Sequence, residues 1–310
     1  LFGIKMQLQF GKATFTAVFS EQKSETSTIR VDGGAQTTNF EIYADDYEAN
    51  KHFFLAQYFY DNYDNALSNM PIISSNVNIT NLEVWVTNRS GVTQNVRNIL
   101  AFQDLGEKLN DVHNTTNVYA GSLNTSNPDN RNNSLGPDLL LSDFPLIRSV
   151  SQITSQLNET GFEQAVDYEK IENAKKLTSS EYSFDSQLGF ISLNQALNSD
   201  EVLAVSFQYT INGIPYQVGE LSTDVASPDA LILKMLKSTT VDVNLPMWRL
   251  LMKNVYSLGA YQVNREDFDL QILYLDDESG TPIPFIPEDG LSGELLIQTM
   301  NLDNLNQNLD

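Results

Sequence analysis

The sequence predicts a mixed α+β, β-rich fold in which an amphipathic hairpin precedes a hairpin-rich domain with several helices. Three observations predict it. Apolar and polar residues alternate on both sides of Gly11-Lys12, and alternate again on both sides of Asn212-Gly213. Between and after these stretches, apolar residues recur at helical spacing in segments that stop at Pro or Gly. A period of two marks a half-buried strand, and a period near 3.6 marks an amphipathic helix.

The first hairpin is LFGIKMQLQFGKATFTAVFS. Ile4, Met6, Leu8 and Phe10 fall on one face of the first half, and Ala13, Phe15, Ala17 and Phe19 on one face of the second. Gly11 supplies the positive φ that begins a type II′ turn, so Gly11-Lys12 is expected to be the two-residue connection. Phe10 and Ala13 then pair, and all eight apolar residues share a face. Two readings fit. The hairpin is either the edge of a soluble β-domain or two strands of an outer-membrane barrel, apolar toward lipid and polar toward the lumen. A membrane strand takes about 9–11 residues, and the second apolar row is somewhat short for that. Periodicity leaves both readings open.

Beyond it, Gly33-Gly34 marks a turn, and residues 45–70 read as a helix with Asp45 or Asp46 at its start and Pro71 at its end. Residues 78–87 and 94–103 read as strands joined by Asn88-Arg89-Ser90-Gly91, with Leu82, Val84 and Val86 on one face and Trp85 on the other. From 106 to 138 the chain is crowded with Asn, Ser, Thr, Asp, Gly and Pro, which predicts a long loop. Helices are expected near 143–157 and 166–177. Leu203, Val205, Phe207, Tyr209 and Ile211, then Ile214, Tyr216 and Val218, flank Asn212-Gly213, the leading signature of a type I′ hairpin. Pro246 opens another expected helix that ends at Gly259. Phe268, Leu270, Ile272 and Tyr274 alternate as a strand before a Pro-rich stretch.

Composition narrows the function classes. Forty acidic and 18 basic residues give a net charge of −22, which disfavours nucleic acid and anionic lipid as partners. Without cysteine there is no disulfide, thiolate nucleophile or cysteine-bound metal. The two histidines, His52 and His113, are expected to be surface or capping residues. No apolar run reaches the length of a membrane helix. There is no phosphate-binding Gly-rich loop, HExxH or Gly-x-Ser-x-Gly elbow. Adjacent acids such as Asp45-Asp46 and Asp276-Asp277 read as solvated faces. The tail at 301–310 offers oxygen ligands but lacks the Gly and Glu of a calcium-binding EF-hand loop. No catalytic, metal or cofactor site is expected, so the chain reads as a non-enzyme. Opening on Leu1 without a signal peptide, it is expected to be part of something longer.

Long segments carry a resemblance. LFGIKMQLQFGKATFTAVFSEQKSE, VDGGAQTTNFEI, YEANKHFFLAQYF, NITNLEVWVTN, LGFISLNQALNSDEVLAVSFQYTINGIPYQVGELSTD, LPMWRLLMKNVYSLGAYQV and MNLDNLNQNLD are similar to the SprA/Sov family. That family forms the outer-membrane translocon of the Bacteroidetes type 9 secretion system, and some members support gliding motility. The resemblance implies an outer-membrane-barrel-type hairpin over 1–20, facing lipid, and a soluble extracellular cap-like domain over 21–310, with a long Asn-rich loop at 110–138. It further implies a non-catalytic part of a protein-conducting pore, in the outer membrane with its bulk at the cell surface. Secreted cargo, a PorV-type barrel and a plug protein are the implied partners, with the bilayer itself at the hairpin. The rival expectation is a free-standing surface binding module, an adhesin or glycan-binding β-domain, for which Trp85 is the one aromatic off the buried-looking faces.

Overall fold

The computed structural model describes residues 2–10, 13–21, 40–69, 72–107, 127–132, 145–159, 161–259, 268–276, 280–287, 293–300 and 302, with side chains from Phe40 onward. The chain divides into two compact units, Leu1–Glu41 with Gln262–Asp269, and Ile42–Tyr261 with Leu270–Asp310.

In the first unit, β1 (Phe2–Phe10) and β2 (Ala13–Glu21) form an antiparallel pair. Its register sets Ile4 opposite Phe19, Met6 opposite Ala17, Leu8 opposite Phe15 and Phe10 opposite Ala13. The expected turn residues Gly11 and Lys12 lie outside the described residues. Phe40 and Phe268 stack in the same unit, with ring centroids 5.9 Å apart and planes at 14°.

The second unit is built on a small closed barrel. After β3 (His52–Phe54) and α1 (Gln57–Leu67) come β4 (Val77–Val86) and β5 (Val96–Phe102). Next are α2 (Val150–Glu159), β6 (Tyr168–Lys176), β7 (Tyr182–Asp185) and β8 (Phe190–Leu193). Then follow β9 (Leu203–Ile211), β10 (Ile214–Val218), β11 (Leu231–Lys237) and α3 (Met247–Leu250). Near the end lie β12 (Tyr274–Leu275), β13 (Pro282–Ile283) and α4 (Leu296–Thr299).

The barrel closes in the order β4-β9-β11-β5-β6 and back to β4. All pairings in it are antiparallel except β11 with β5. Closure removes the exposed edges that an open sheet of these strands would carry. Its interior is filled from all five strands by Trp85, Ile99, Ala101, Ile171, Ala204, Leu233 and Met235 among others. Outside it, Phe207, Tyr209, Val84 and Leu236 pack with Phe53, Phe54 and Phe59, and with Ile191 of the three-stranded sheet β3-β8-β7. On another outer face, Leu100, Phe102, Tyr168 and Ile232 pack under Ile153 and Leu157 of α2. β11 is therefore buried along its whole length, which explains its nearly unbroken apolar run LILKMLK.

β9 turns into β10 through Asn212 at φ +51° and Gly213 at φ +80°, with Ile211 opposite Ile214. Both positive angles are what a type I′ turn requires. β4 and β5 also form where alternation placed them, but they are not partners. β6 lies between them.

Several helix expectations are corrected. Residues 166–177 form β6 rather than a helix, because pairing to β5 and β4 outweighs the helical preference of EKIENAKK. Among the described residues of 45–70 only Gln57–Leu67 is helical. His52–Phe54 is a strand against β8, and Phe53, Phe54 and Leu55 are consecutively buried, a pattern of burial on both faces. Asp46 makes a local turn with Tyr43 instead of starting the helix. The helix after Pro246 stops at Leu250, since Leu251 bridges to Phe53 and the Met252 amide donates to the His52 carbonyl. The helix expected at 143–157 begins later, at Val150. In the second unit, the run ending at Tyr274 keeps its alternating exposure, yet only Tyr274–Leu275 pairs as a strand, with Pro282–Ile283.

Candidate functional site

The eight residues expected to face lipid, Ile4, Met6, Leu8, Phe10, Ala13, Phe15, Ala17 and Phe19, are matched with one another by the β1–β2 register. Where their side chains point lies outside the described residues, as do His113 and most of the 301–310 tail. Among the described residues no helix is long and apolar enough to cross a membrane, and no cluster of His, Asp and Glu could hold a metal.

His52 was expected at the surface or a cap, and the structure buries it. It sits opposite Ser192 in the β3–β8 ladder, with Nδ1 2.7 Å from the Ser192 hydroxyl and Nε2 2.9 Å from Glu48 Oε2. Hydrogen bonds from Lys51 and then His52 hold the Glu48 carboxyl below the usual range. A hydroxyl, an imidazole and a carboxylate in a row have the order of a hydrolase relay. Here the row also fastens the β3 end to β8, and a cleft elsewhere in the second unit does not include Ser192.

That cleft, of about 990 Å³, runs along the β9–β10 ribbon past Gln208, Tyr216 and Gln217. Four of its charges are matched in pairs, and the fifth, Asp224, accepts from the Gln217 side chain and the Leu221 amide. Arg131 donates from Nε and an Nη to the two Asp129 oxygens at 2.9 Å each, and Arg148 grips Glu220 at 2.8 and 2.5 Å. Tyr216 stacks on Tyr209 at 5.1 Å, and the Tyr209 hydroxyl donates to the Pro128 carbonyl at 2.7 Å.

Part of the acidic composition is internal. Glu83 accepts from Lys176 and from the Ser222 amide and hydroxyl. Glu169 accepts from the Ser238 hydroxyl and from the Thr239 amide and hydroxyl. Glu220 accepts from Arg148 and from the Ile232 amide. Each carboxylate ties a connection to the barrel, so these acids hold loops rather than face solvent.

The densest buried charge lies where the segment after β5 meets β11 and α1. Lys234 is 1% exposed, and its ammonium lies 3.0 Å from Glu107 Oε1 and donates to the Gln103 carbonyl. The same Glu107 oxygen accepts from the Gln57 amide at 3.1 Å. That amide is the first of α1, and Ala56 offers no side chain to cap it. Asp104 is fully buried beside them. Burial pushes its carboxyl up to about 7, against the pull of Lys234 and with a push from Glu107 and Asp167. The one sequence signal for this cluster was Lys234 itself, a lysine inside an apolar strand. The acids around it were indistinguishable among forty.

Trp85, the residue that carried the glycan-binding expectation, is 1% exposed and fills the barrel interior. It has no face to offer a sugar. The second unit is thus stabilised from within around a five-stranded barrel. Residues 1–200 match the family described as motility related/secretion protein, SprA_N, and the chain belongs to that family. A comparison with curated proteins found no match.

Proposed function

We propose that this chain is a non-catalytic part of the outer-membrane protein-conducting pore of the type 9 secretion system, exporting folded proteins and serving gliding motility. The single observation that carries the reading is membership of a motility-related/secretion family over residues 1–200. The β1–β2 register supports it, since Ile4, Met6, Leu8 and Phe10 each meet an apolar partner, Phe19, Ala17, Phe15 and Ala13. In this reading residues 1–20 are two strands of a larger barrel, with Gly11-Lys12 as the short periplasmic turn. Residues 21–310 form a cap-like domain at the cell surface that covers or shapes the pore mouth. Secreted cargo, a PorV-type barrel and a plug protein are its proposed partners. The net charge of −22 suits a domain that must stay dissolved beside an anionic surface.

A paired substitution tests the membrane assignment. Phe15→Arg puts a charge on the lipid face and is expected to cost about 2–4 kcal/mol if the site is at the bilayer midplane. Thr14→Arg, on the other face, is expected to be far milder. Assembly is read from heat-modifiable migration of the outer-membrane fraction, and equal defects from the two changes contradict the assignment.

A further inference from the structure

Lys234 stands in the middle of an apolar strand, and the fold sets its amine against a carboxyl in a dry site. β11 is buried along all seven residues. The side chains of Lys234 and Glu107 each keep only 1% exposure, with Nζ 3.0 Å from Oε1. Both ends are anchored. Nζ also donates to the Gln103 carbonyl, and the Lys234 backbone is matched to Phe102 of β5 on one side and Val205 of β9 on the other. The Glu107 carboxyl is held by the Gln57 amide, which donates to the same Oε1 at 3.1 Å. Its segment is pressed against β10 at Gly106, where a Cβ would lie 2.8 Å from Val218.

These are the parts of an acyl transfer. An amine faces a carboxyl, a backbone N–H points at the oxygen on which charge would build, and water is shut out. Asp104, in the same segment and fully buried, lies close enough to feel the charges of both Lys234 and Glu107. Burial pushes its carboxyl up to about 7, so it has a proton to lend. Free in water, an amine and a carboxylic acid stay apart because both are ionised and solvated. Reactants held in place by a fold meet at effective concentrations that reach about 10⁵–10⁸ M. A neutral amide is also spared the desolvation cost of a buried ion pair.

We propose that Lys234 and Glu107 condense to an internal amide, a covalent brace between β11 and the segment that follows β5. One proton passes from the ammonium to the carboxylate, leaving amine and acid. The nitrogen lone pair attacks Glu107 Cδ, and the carbonyl electrons move onto Oε1 under the Gln57 amide. Asp104 protonates the departing hydroxyl, which leaves as water, and then recovers a proton from the nitrogen. The products are one amide and one water, with Asp104 unchanged and no oxidant or reductant involved. The new amide oxygen still accepts from Gln57, so the start of α1 keeps its partner. Such a brace constrains the unfolded chain as a disulfide does, in a chain that has no cysteine.

The test is the intact mass of the folded 310-residue chain, measured after denaturation. It is expected to fall short of the sequence mass by one water, and proteolysis is expected to release a branched peptide joining Lys234 to Glu107. The same chain held in denaturant from synthesis onward is expected to keep its full mass, because the reaction needs the fold. A folded chain at full sequence mass overturns the proposal, and that outcome needs no variant that could fail to fold. A deficit that survives in Lys234→Met, or a branch at Asp104 in place of Glu107, overturns it as well.

Discussion

Gly189 holds φ +68°, and a Cβ there would lie 2.3 Å from the Phe59 ring. Both the left-handed backbone and the missing side chain are needed, because Phe59 packs against Phe207 and Tyr209 in the same core. Gly189→Ala is expected to cost about 1–2 kcal/mol for the backbone and about 1–3 for the overpacked ring, read as a drop in Tm. Gly213 is a useful contrast. It has φ +80° and open space around the absent Cβ, so Gly213→Val should suffer from backbone strain alone and cost less. Phe207→Ala, at a side chain with no exposure, should cost about 3–5 kcal/mol in chemical unfolding. Asn212-Gly213 was legible in the sequence because its signal is local and flanked by alternation. Gly189 was not, since its need arises from a ring far away along the chain. The same holds for His52, whose partner Ser192 is its neighbour only across a ladder.

Among elements, legibility followed how far local preference and tertiary pairing agree. Ile214 of β10 is exposed, whereas β4 and β9 carry alternation that sorts residues between two cores, with Leu82, Val84, Val86, Val205 and Phe207 in one cluster and Trp85 and Ala204 in the barrel interior. β6 does not, because its Glu- and Lys-rich sequence favours a helix while both of its edges are taken by strands. α1 is the opposite case, a helix whose start lies twelve residues after the sequence signal at Asp45. Its first amide is satisfied by Glu107, a residue that no local capping rule could supply. Glu107→Ala should therefore unseat α1 and strand the Lys234 ammonium, at about 3–5 kcal/mol for breaking a buried pair on one side. The check is a loss of Gln57 amide protection together with a lower unfolding midpoint. A melt and a Gln57 protection factor equal to wild type show that the pair carries no such weight.

For the whole molecule, the barrel sets what counts as a foldable piece. The family match ends at residue 200, whereas β9 and β11, which complete the ring, lie at Leu203–Ile211 and Leu231–Lys237. A chain cut at 200 keeps β4, β5 and β6 but leaves their remaining edges open, so it is expected to lose its cooperative melt and near-UV signal. The long-range pairing of β4 with β9 and of β5 with β11 was invisible to a reading of one segment at a time, which is why the sequence showed hairpins but no barrel. The functional reading came from long matching segments rather than from any site chemistry. Its central claim is that the domain after the first hairpin lies outside the cell, and the exposed Arg89-Ser90-Gly91 connection gives direct access to it. An epitope inserted after Ser90 in the full-length protein should bind antibody on intact cells as strongly as on permeabilised ones. Labelling that appears only after the outer membrane is opened contradicts a surface cap.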